Sequence, residues 1–302
     1  MAKLSNLNFK TITILAEKFA CYVHDFRYIH GGAANTSYFL KSSSGEFILT
    51  VCNEKSHEEI EGVLDLVLQL NGAQFQTYKP VVSEDGSYSV DYKGYPVILK
   101  KFIPGSILSS SDRVFDLGCL IAQLHSLDLD TQLPVDHPYG HTHWFETDHW
   151  KNPEFKSWLY SFDFPPMDLP QGVIHSDVFA DNVIVGDKYY LIDFEEACIA
   201  PYAMDIGMAF VGSCRVDAKL DFIKMSELLR GYLSVRHLSN REMDSLQSFT
   251  IYGALCTAFV RYRHYNIRYP ETGMRDHYLE MRDIANKTAS IAPEDFKILF
   301  SQ

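Results

Sequence analysis

Val173-Ile174-His175-Ser176-Asp177-Val178-Phe179-Ala180-Asp181-Asn182 leads through Val183-Ile184-Val185 and a Gly186-Asp187 turn to Tyr189-Tyr190-Leu191-Ile192-Asp193. Two short apolar runs on either side of a Gly-Asp pair predict a β-hairpin. Such a hairpin sets Asn182 at its entry and Asp193 at its exit, so the two polar groups are expected close together. An Asn amide oxygen and an Asp carboxylate are hard ligands suited to Mg²⁺. Asp177, on the loop ahead of Asn182, is placed to accept a proton from a hydroxyl. His175 is expected to brace that loop by hydrogen bonding. Asp and Asn are also ordinary turn residues. The full order of H-x-D-x4-N, apolar hairpin and Ile-Asp-Phe-Glu is rarely met by chance, and it matches what phosphoryl transfer needs: metal ligands and an oriented acceptor.

The bulk composition narrows the field. The chain has 302 residues, 46% hydrophobic and 22% charged, as expected of a well-packed globular protein. Its net charge of −12 argues against a nucleic-acid partner, which would call for a basic stripe. The same charge requires metal ions and local cations wherever an anionic nucleotide binds. Cys21, Cys52, Cys119, Cys198, Cys214 and Cys256 form no C-x-x-C pair and lie mostly in apolar runs. Reduced, buried thiols and a cytoplasmic location are expected. No apolar run approaches the roughly 20 residues that cross a bilayer, so no membrane partner is expected.

Working outward, the first hundred residues read as strand-rich with one main helix. Ser37–Lys41 and Glu46–Cys52 are β-prone runs around a Ser-Ser-Ser-Gly turn. Across Glu58–Leu70, the residues Ile60, Val63, Leu64 and Val67 recur at helical spacing. Val81-Val82, Tyr88–Asp91 and Tyr95–Phe102 read as further strands. Ile103-Pro104-Gly105 breaks the pattern, giving a nucleotide-binding lobe 1–103 and a catalytic and acceptor lobe 104–302. Beyond the break, Ser111 is the expected N-cap of a helix reaching His125, and Ser239-x-x-Glu242 is a capping box opening a long helix. The class is therefore α+β. His137, His141, His143 and His149 are irregularly spaced, which favours polar loop or core positions over a metal site. The tryptophans read as packing residues.

The segment from His175 to Glu196 resembles the aminoglycoside phosphotransferase and choline kinase superfamily. That resemblance implies a two-lobe protein-kinase-like fold with a β-rich N-lobe and a mainly helical C-lobe. It also implies ATP and Mg²⁺ as cofactors, Asp177 and His175 as the catalytic pair, and Asn182 and Asp193 as metal ligands. Gly32, Ala33, Ala34 and Asn35 look like the family's phosphate-covering loop. Lys101 and Ile103 look like the hinge whose backbone holds the adenine edge. Met204-Asp205-Ile206-Gly207 looks like the family's aspartate that supports the catalytic loop. One departure stands out. The strand that usually carries a phosphate-binding lysine has Thr50 there, with Lys55 the nearest substitute and Glu59 or Glu61 as its partner. Eleven residues separate Asp193 from Asp205. That spacing leaves no room for a protein-substrate segment, so the acceptor is a small molecule.

Within the superfamily, Asn35-x-x-Tyr38-Phe39, Phe47-Ile48-Leu49-Thr50 and Val173–Val183 resemble bacterial homoserine kinases of this fold. A zwitterionic acceptor needs a cation for its carboxylate and an acid for its ammonium. Arg261 or Arg263, with Asp205 or Glu196, are the expected pair. The alternatives are another small alcohol (an amino sugar, a hydroxylated amino acid, choline, ethanolamine or an aminoglycoside) or an inactive nucleotide-binding module.

Overall fold

The computed structural model describes residues 7–29, 35–146 and 152–300. They form two compact units. The first gathers Met1–Gly105, Leu129–Gln132 and Gly186–Glu195, and the second holds Ser106–Asp128, Leu133–Val185 and Glu196–Gln302.

The first unit is built on alternation. Helix α1 (Phe9–Glu17) precedes strands β1 (Val23–Ile29), β2 (Thr36–Ser42) and β3 (Gly45–Val51). Helix α2 (His57–Gly72), β4 (Val90–Tyr92) and β5 (Tyr95–Lys101) follow. The strands make one antiparallel sheet in the order β1-β2-β3-β5-β4. Successive side chains on a strand point to opposite faces. Tyr38, Leu40, Leu49, Val51, Val97 and Leu99 therefore share one face, where Ile12 and Leu15 of α1 pack. Cys52 and Ile98 lie on the other, under Ile60 and Leu64 of α2. Helix α2 has the apolar face its spacing predicts and opens with a Ser56–Glu59 capping box. Helix α1 escapes sequence detection because its apolar stripe (Ile12, Leu15, Ala16) spans barely one turn; the Asn8 side chain caps it. Val81-Val82 is not a strand: the Val81 N–H donates to the Leu99 carbonyl from outside the ladder, and Val82 is exposed.

The second unit is mainly helical. It runs through β6 (Ser106–Ile107), α3 (Phe115–Leu124), α4 (Pro153–Leu159), β7 (Gln171–Ile174) and β8 (Val183–Val185). After β9 (Tyr189–Leu191), which belongs to the first unit, come β10 (Cys198–Pro201) and α5 (Tyr202–Ser213). The remainder is β11 (Arg215–Val216), β12 (Lys219–Leu220), α6 (Phe222–Leu233), α7 (Asn240–Tyr262), α8 (Leu279–Ala289) and α9 (Pro293–Ile298). Helix α3 starts later than the sequence predicts. Ser109 and Asp112 close a turn on each other, Ser111 joins that turn, and no side chain caps the helix at Val114. Helix α7 has the expected Ser239–Glu242 box. Gly207 lets α5 lie against it, because a Cβ there would stand 2.5 Å from the Phe249 backbone. Trp144 is fully buried among Tyr160, Tyr252 and Phe259. All six cysteines are free, and all but Cys119 are buried. Among the described residues, no helix is long and apolar enough to cross a membrane.

Candidate active site

Strand β7 ends at Ile174 and pairs with β10, Cys198 opposite Ile174. That pairing carries the chain after Glu196 back against the loop that starts at His175. Asp205, in the first turn of α5, lies beneath this loop and is fully buried. Its carboxylate accepts the His175 N–H at 2.9 Å, the Ser176 N–H at 2.7 Å and His125 Nε2–H at 3.1 Å. Burial alone would raise its pKa. The His125 hydrogen bond and the surrounding donors outweigh burial and hold the carboxyl below its ordinary range. Asp205 is thus a fully engaged structural anion. Its oxygens have no exposure and are engaged by these donors, the setting in which the expected contact with an acceptor's ammonium would have to form.

Ser176 is the keystone of the loop. Its backbone is left-handed, with φ 65°, a conformation that costs a non-glycine residue about 1–3 kcal/mol unless its surroundings impose it. Here they do. The Ser176 N–H goes to Asp205, its carbonyl accepts His137 Nε2–H at 3.0 Å, and its hydroxyl donates to the Glu196 carbonyl. His137 is buried as a neutral ring. Because Nε2 donates, Nδ1 is left to accept the Tyr139 N–H at 3.0 Å. Burial pushes its pKa down to about 4.

The clamp aims Asp177. His175, also fully buried, accepts the Asp177 N–H on Nδ1 at 3.2 Å, so this histidine positions the loop. The Asn182 amide donates to the Asp177 carbonyl at 2.9 Å and to Asp177 Oδ2 at 2.8 Å. Its Nδ2 is thereby pinned, and its Oδ1 makes no hydrogen bond among the described residues. Below, Gly212 admits the loop onto α5: a Cβ there would stand 2.4 Å from the Val178 carbonyl, which instead accepts Ser213 Oγ–H at 2.9 Å.

In the electrostatic neighbourhood of Asp177 the structure gathers a carboxylate and a guanidinium around one phenol. Tyr139 OH donates to Glu196 Oε1 at 2.7 Å. The Arg263 guanidinium stands 5.1 Å from the centroid of the same ring. Burial raises the Tyr139 pKa well above its ordinary value, with Glu196 and Asp177 adding to the rise and Arg263 opposing it. Glu196 and Arg263 are therefore brought together. Arg261, the other arginine expected to meet an acceptor, has different partners. Two residues apart on a helix, the pair point to different sides. Arg261 donates to Glu280 Oε2 at 2.6 Å and to the His277 carbonyl at 3.3 Å, and Arg215 shares the same carboxylate. Arg263 begins a π-helical turn, Arg263–Arg268, that continues α7; such turns recur at functional positions.

The remaining expected residues belong to the first unit. Gly32, Ala33 and Ala34 lie outside the described residues. Asn35 donates to Glu195 Oε1 at 2.6 Å and accepts the Asn53 N–H at 3.3 Å. Asp193, like Ser176, has a left-handed backbone, φ 68°, and its half-buried carboxylate has no hydrogen-bond or ion-pair partner among the described residues. Thr50 is buried on β3, its hydroxyl 3.1 Å from Ser37 Oγ. The Lys101 N–H is taken by the Lys79 carbonyl, whereas no hydrogen bond engages the Ile103 N–H among the described residues. Lys55 pairs with Glu59 at 3.9 Å, at the start of α2. Tyr139 and His137 have their contacts with Glu196 and Ser176 without a sequence signal, since those partners are distant along the chain.

Taken singly, the two expected ligands are of a type that suits a hard cation such as Mg²⁺: Asn182, in the second unit, offers an amide oxygen with no hydrogen bond among the described residues, and Asp193, in the first, a carboxylate with none. Among the described residues there is no group of three or more His, Cys, Asp or Glu side chains that would form a closed metal cage.

The model of the phosphotransferase enzyme family matches residues 25–238. The chain belongs to that family. It is accordingly a small-molecule phosphotransferase with the protein-kinase-like α+β fold. The homoserine kinase of Neisseria meningitidis is 28% identical over 256 residues, spanning 80% of this chain and 83% of that protein. The homoserine kinase of Brucella anthropi is 30% identical, spanning 73% of each. Among solved structures, an amicoumacin kinase in complex with AMP-PNP, Ca²⁺ and its antibiotic aligns with TM-score 0.69 at 15% identity, covering 95% of this chain and 97% of the other. This last likeness concerns the fold alone.

Proposed function

We propose that this phosphotransferase moves the terminal phosphoryl group of Mg²⁺-ATP onto the hydroxyl of a small zwitterionic amino acid, with homoserine as the acceptor. The observation that carries this reading is the Glu196–Tyr139–Arg263 arrangement in the electrostatic neighbourhood of Asp177. A carboxylate and a guanidinium held on one phenol offer both charges that an α-amino acid requires. A choline or a polycationic aminoglycoside would call for acidic and aromatic walls without the arginine. The homoserine kinases at 28% and 30% identity support the same acceptor.

In this reading Asp177 accepts the hydroxyl proton as the oxygen attacks, and the Asp205–Ser176–His137 clamp keeps it in position. Asn182 and Asp193 are the metal ligands. A Mg²⁺ ion held by these residues would supply the positive charge that offsets the phosphates. Asn35 is assigned to the phosphate-covering loop on the strength of the sequence resemblance, as are Gly32, Ala33 and Ala34 outside the described residues. The free N–H of Ile103 and the backbone of Lys101 serve the adenine edge, and buried Thr50 lines the nucleotide's side of β3. His175 acts through Asp177, whose N–H it holds.

The test is ADP release from Mg²⁺-ATP with L-homoserine, L-serine, L-threonine, choline, an amino sugar and kanamycin, each also run with Asp177→Asn. Homoserine-dependent release that disappears in the variant supports the reading. Release with choline or kanamycin, and none with an amino acid, rejects it.

A further inference from the structure

A nucleoside triphosphate brings several negative charges to a chain whose net charge is −12. A Mg²⁺ ion leaves part of that charge unmet, so a fixed cation is required close by. Thr50 cannot supply one. Its neighbourhood within the first unit can. In the β3–β5 ladder Thr50 lies opposite Ile98, and Ile48 lies opposite Lys100. Directly opposed residues share a face, and alternate residues along a strand return to it. Thr50 and Lys100 therefore project from the same face of the sheet, as diagonal neighbours about 7–8 Å apart at the backbone, within reach of a lysine side chain.

The Lys100 amine stands 4.6 Å from the centroid of the Tyr78 ring. It makes no hydrogen bond or ion pair among the described residues. Lys55, the other lysine considered for this task, is paired with Glu59 at 3.9 Å. The electrostatic surroundings point the same way. Burial pushes the Cys52 thiol up, Glu195 and Asp193 push it further, and Lys100 opposes them. Tyr78 is raised by burial and by the same two carboxylates. Lys100 thus lies in the electrostatic neighbourhood of Asp193, on a buried aromatic platform that holds the amine without discharging it.

We propose that Lys100 is the cation that contacts the nucleotide's phosphates, displaced by one strand from the position that Thr50 occupies. The inference rests on the ATP reading above. On binding, the amine exchanges the Tyr78 ring for phosphate oxygens, and no other side chain need move to receive the charge.

The experiment is calorimetric titration of the full-length wild type, Lys100→Met and Lys100→Arg with Mg²⁺-ATP and with adenosine, beside steady-state kinetics. Losing one charge-assisted contact should weaken Mg²⁺-ATP about tenfold or more in Lys100→Met. Adenosine affinity and the acceptor KM should stay within about twofold, because neither involves phosphate. Lys100→Arg should retain most of the affinity. Thr50→Lys combined with Lys100→Met should recover it, since the charge returns to the same face. Should Lys100→Met not fold, Lys100→Gln serves the same comparison. Unchanged Mg²⁺-ATP affinity in a folded variant, or equal loss for ATP and adenosine, overturns the role of Lys100 while leaving the ATP reading intact. A wild type that binds neither ligand overturns both.

Discussion

Lowering the pH should destabilise the fold through His137, because the unfolded chain takes up a proton that the buried ring does not accept. His137 donates through Nε2 to the Ser176 carbonyl and accepts the Tyr139 N–H on Nδ1. A second proton on Nδ1 would face that N–H, in a site with no access to water. Burial accordingly takes the group down to about 4, against the pull of the Ser176 carbonyl and Asp205, with His143 reinforcing the drop. The folded-state pKa is depressed, so this stability is fully present above the unfolded value near 6.5 and is lost as pH falls towards 4. At 1.36 kcal/mol per pKa unit the whole span is worth about 3.4 kcal/mol. The part lost between pH 7 and pH 5 is about 2 kcal/mol. For a chain of this size that is a fall in Tm of roughly 4–8 °C. His125 and Asp205 add losses of their own, at lower pH in the case of Asp205, so the measurement must be a difference. His137→Gln keeps an N–H for the Ser176 carbonyl and cannot titrate. Thermal melts of wild type and His137→Gln at pH 7 and pH 5 isolate the contribution. The wild type should lose about 2 kcal/mol more than the variant over that interval. Equal losses in the two proteins would refute the argument.

Other expectations follow from the same geometry. Asp177→Asn should lower kcat by about 10²–10⁴-fold while leaving Mg²⁺-ATP affinity nearly intact, because the amide oxygen can still accept the Asn182 N–H but cannot take the hydroxyl proton; a parallel loss of nucleotide binding would contradict this. Asp205→Ala strips the buried anion from His125 and two backbone N–H groups and should cost about 3–5 kcal/mol in denaturant melts, with a loss below 1 kcal/mol counting against the clamp. Arg263→Met should raise the acceptor KM about tenfold, whereas Arg261→Met should lower stability and leave that KM alone, and the reverse pattern would return the clamp to Arg261.

What could be read in the sequence was local. The run from His175 to Asp193 keeps its functional groups within twenty residues, so their order is visible without a fold. The apolar stripe of α2 and the Ser239–Glu242 box are likewise patterns of three and four residues. What could not be read depends on distant partners. Tyr139 is an ordinary loop tyrosine until Glu196, 57 positions on, takes its hydroxyl. His137 stands among irregular histidines and becomes meaningful only through the Ser176 carbonyl, 39 residues away. Asp205 was legible as a support for the loop, but its complete burial was not. Arg261 and Arg263 look equivalent in a string of letters and separate only when Glu280 claims one of them. Lys100 reads as a hinge neighbour, and the strand register gives it a face.

The central claim is that the enzyme recognises an amino acid by both of its charges. The direct measurement is the ratio of kcat/KM for L-homoserine to that for 3-amino-1-propanol, which is homoserine without its carboxylate. Loss of a charge-assisted contact to Arg263 predicts a preference for homoserine of about tenfold to a hundredfold. That preference should collapse in Arg263→Met. Equal use of the two acceptors by the wild type, or better use of the aminoalcohol, would contradict the account.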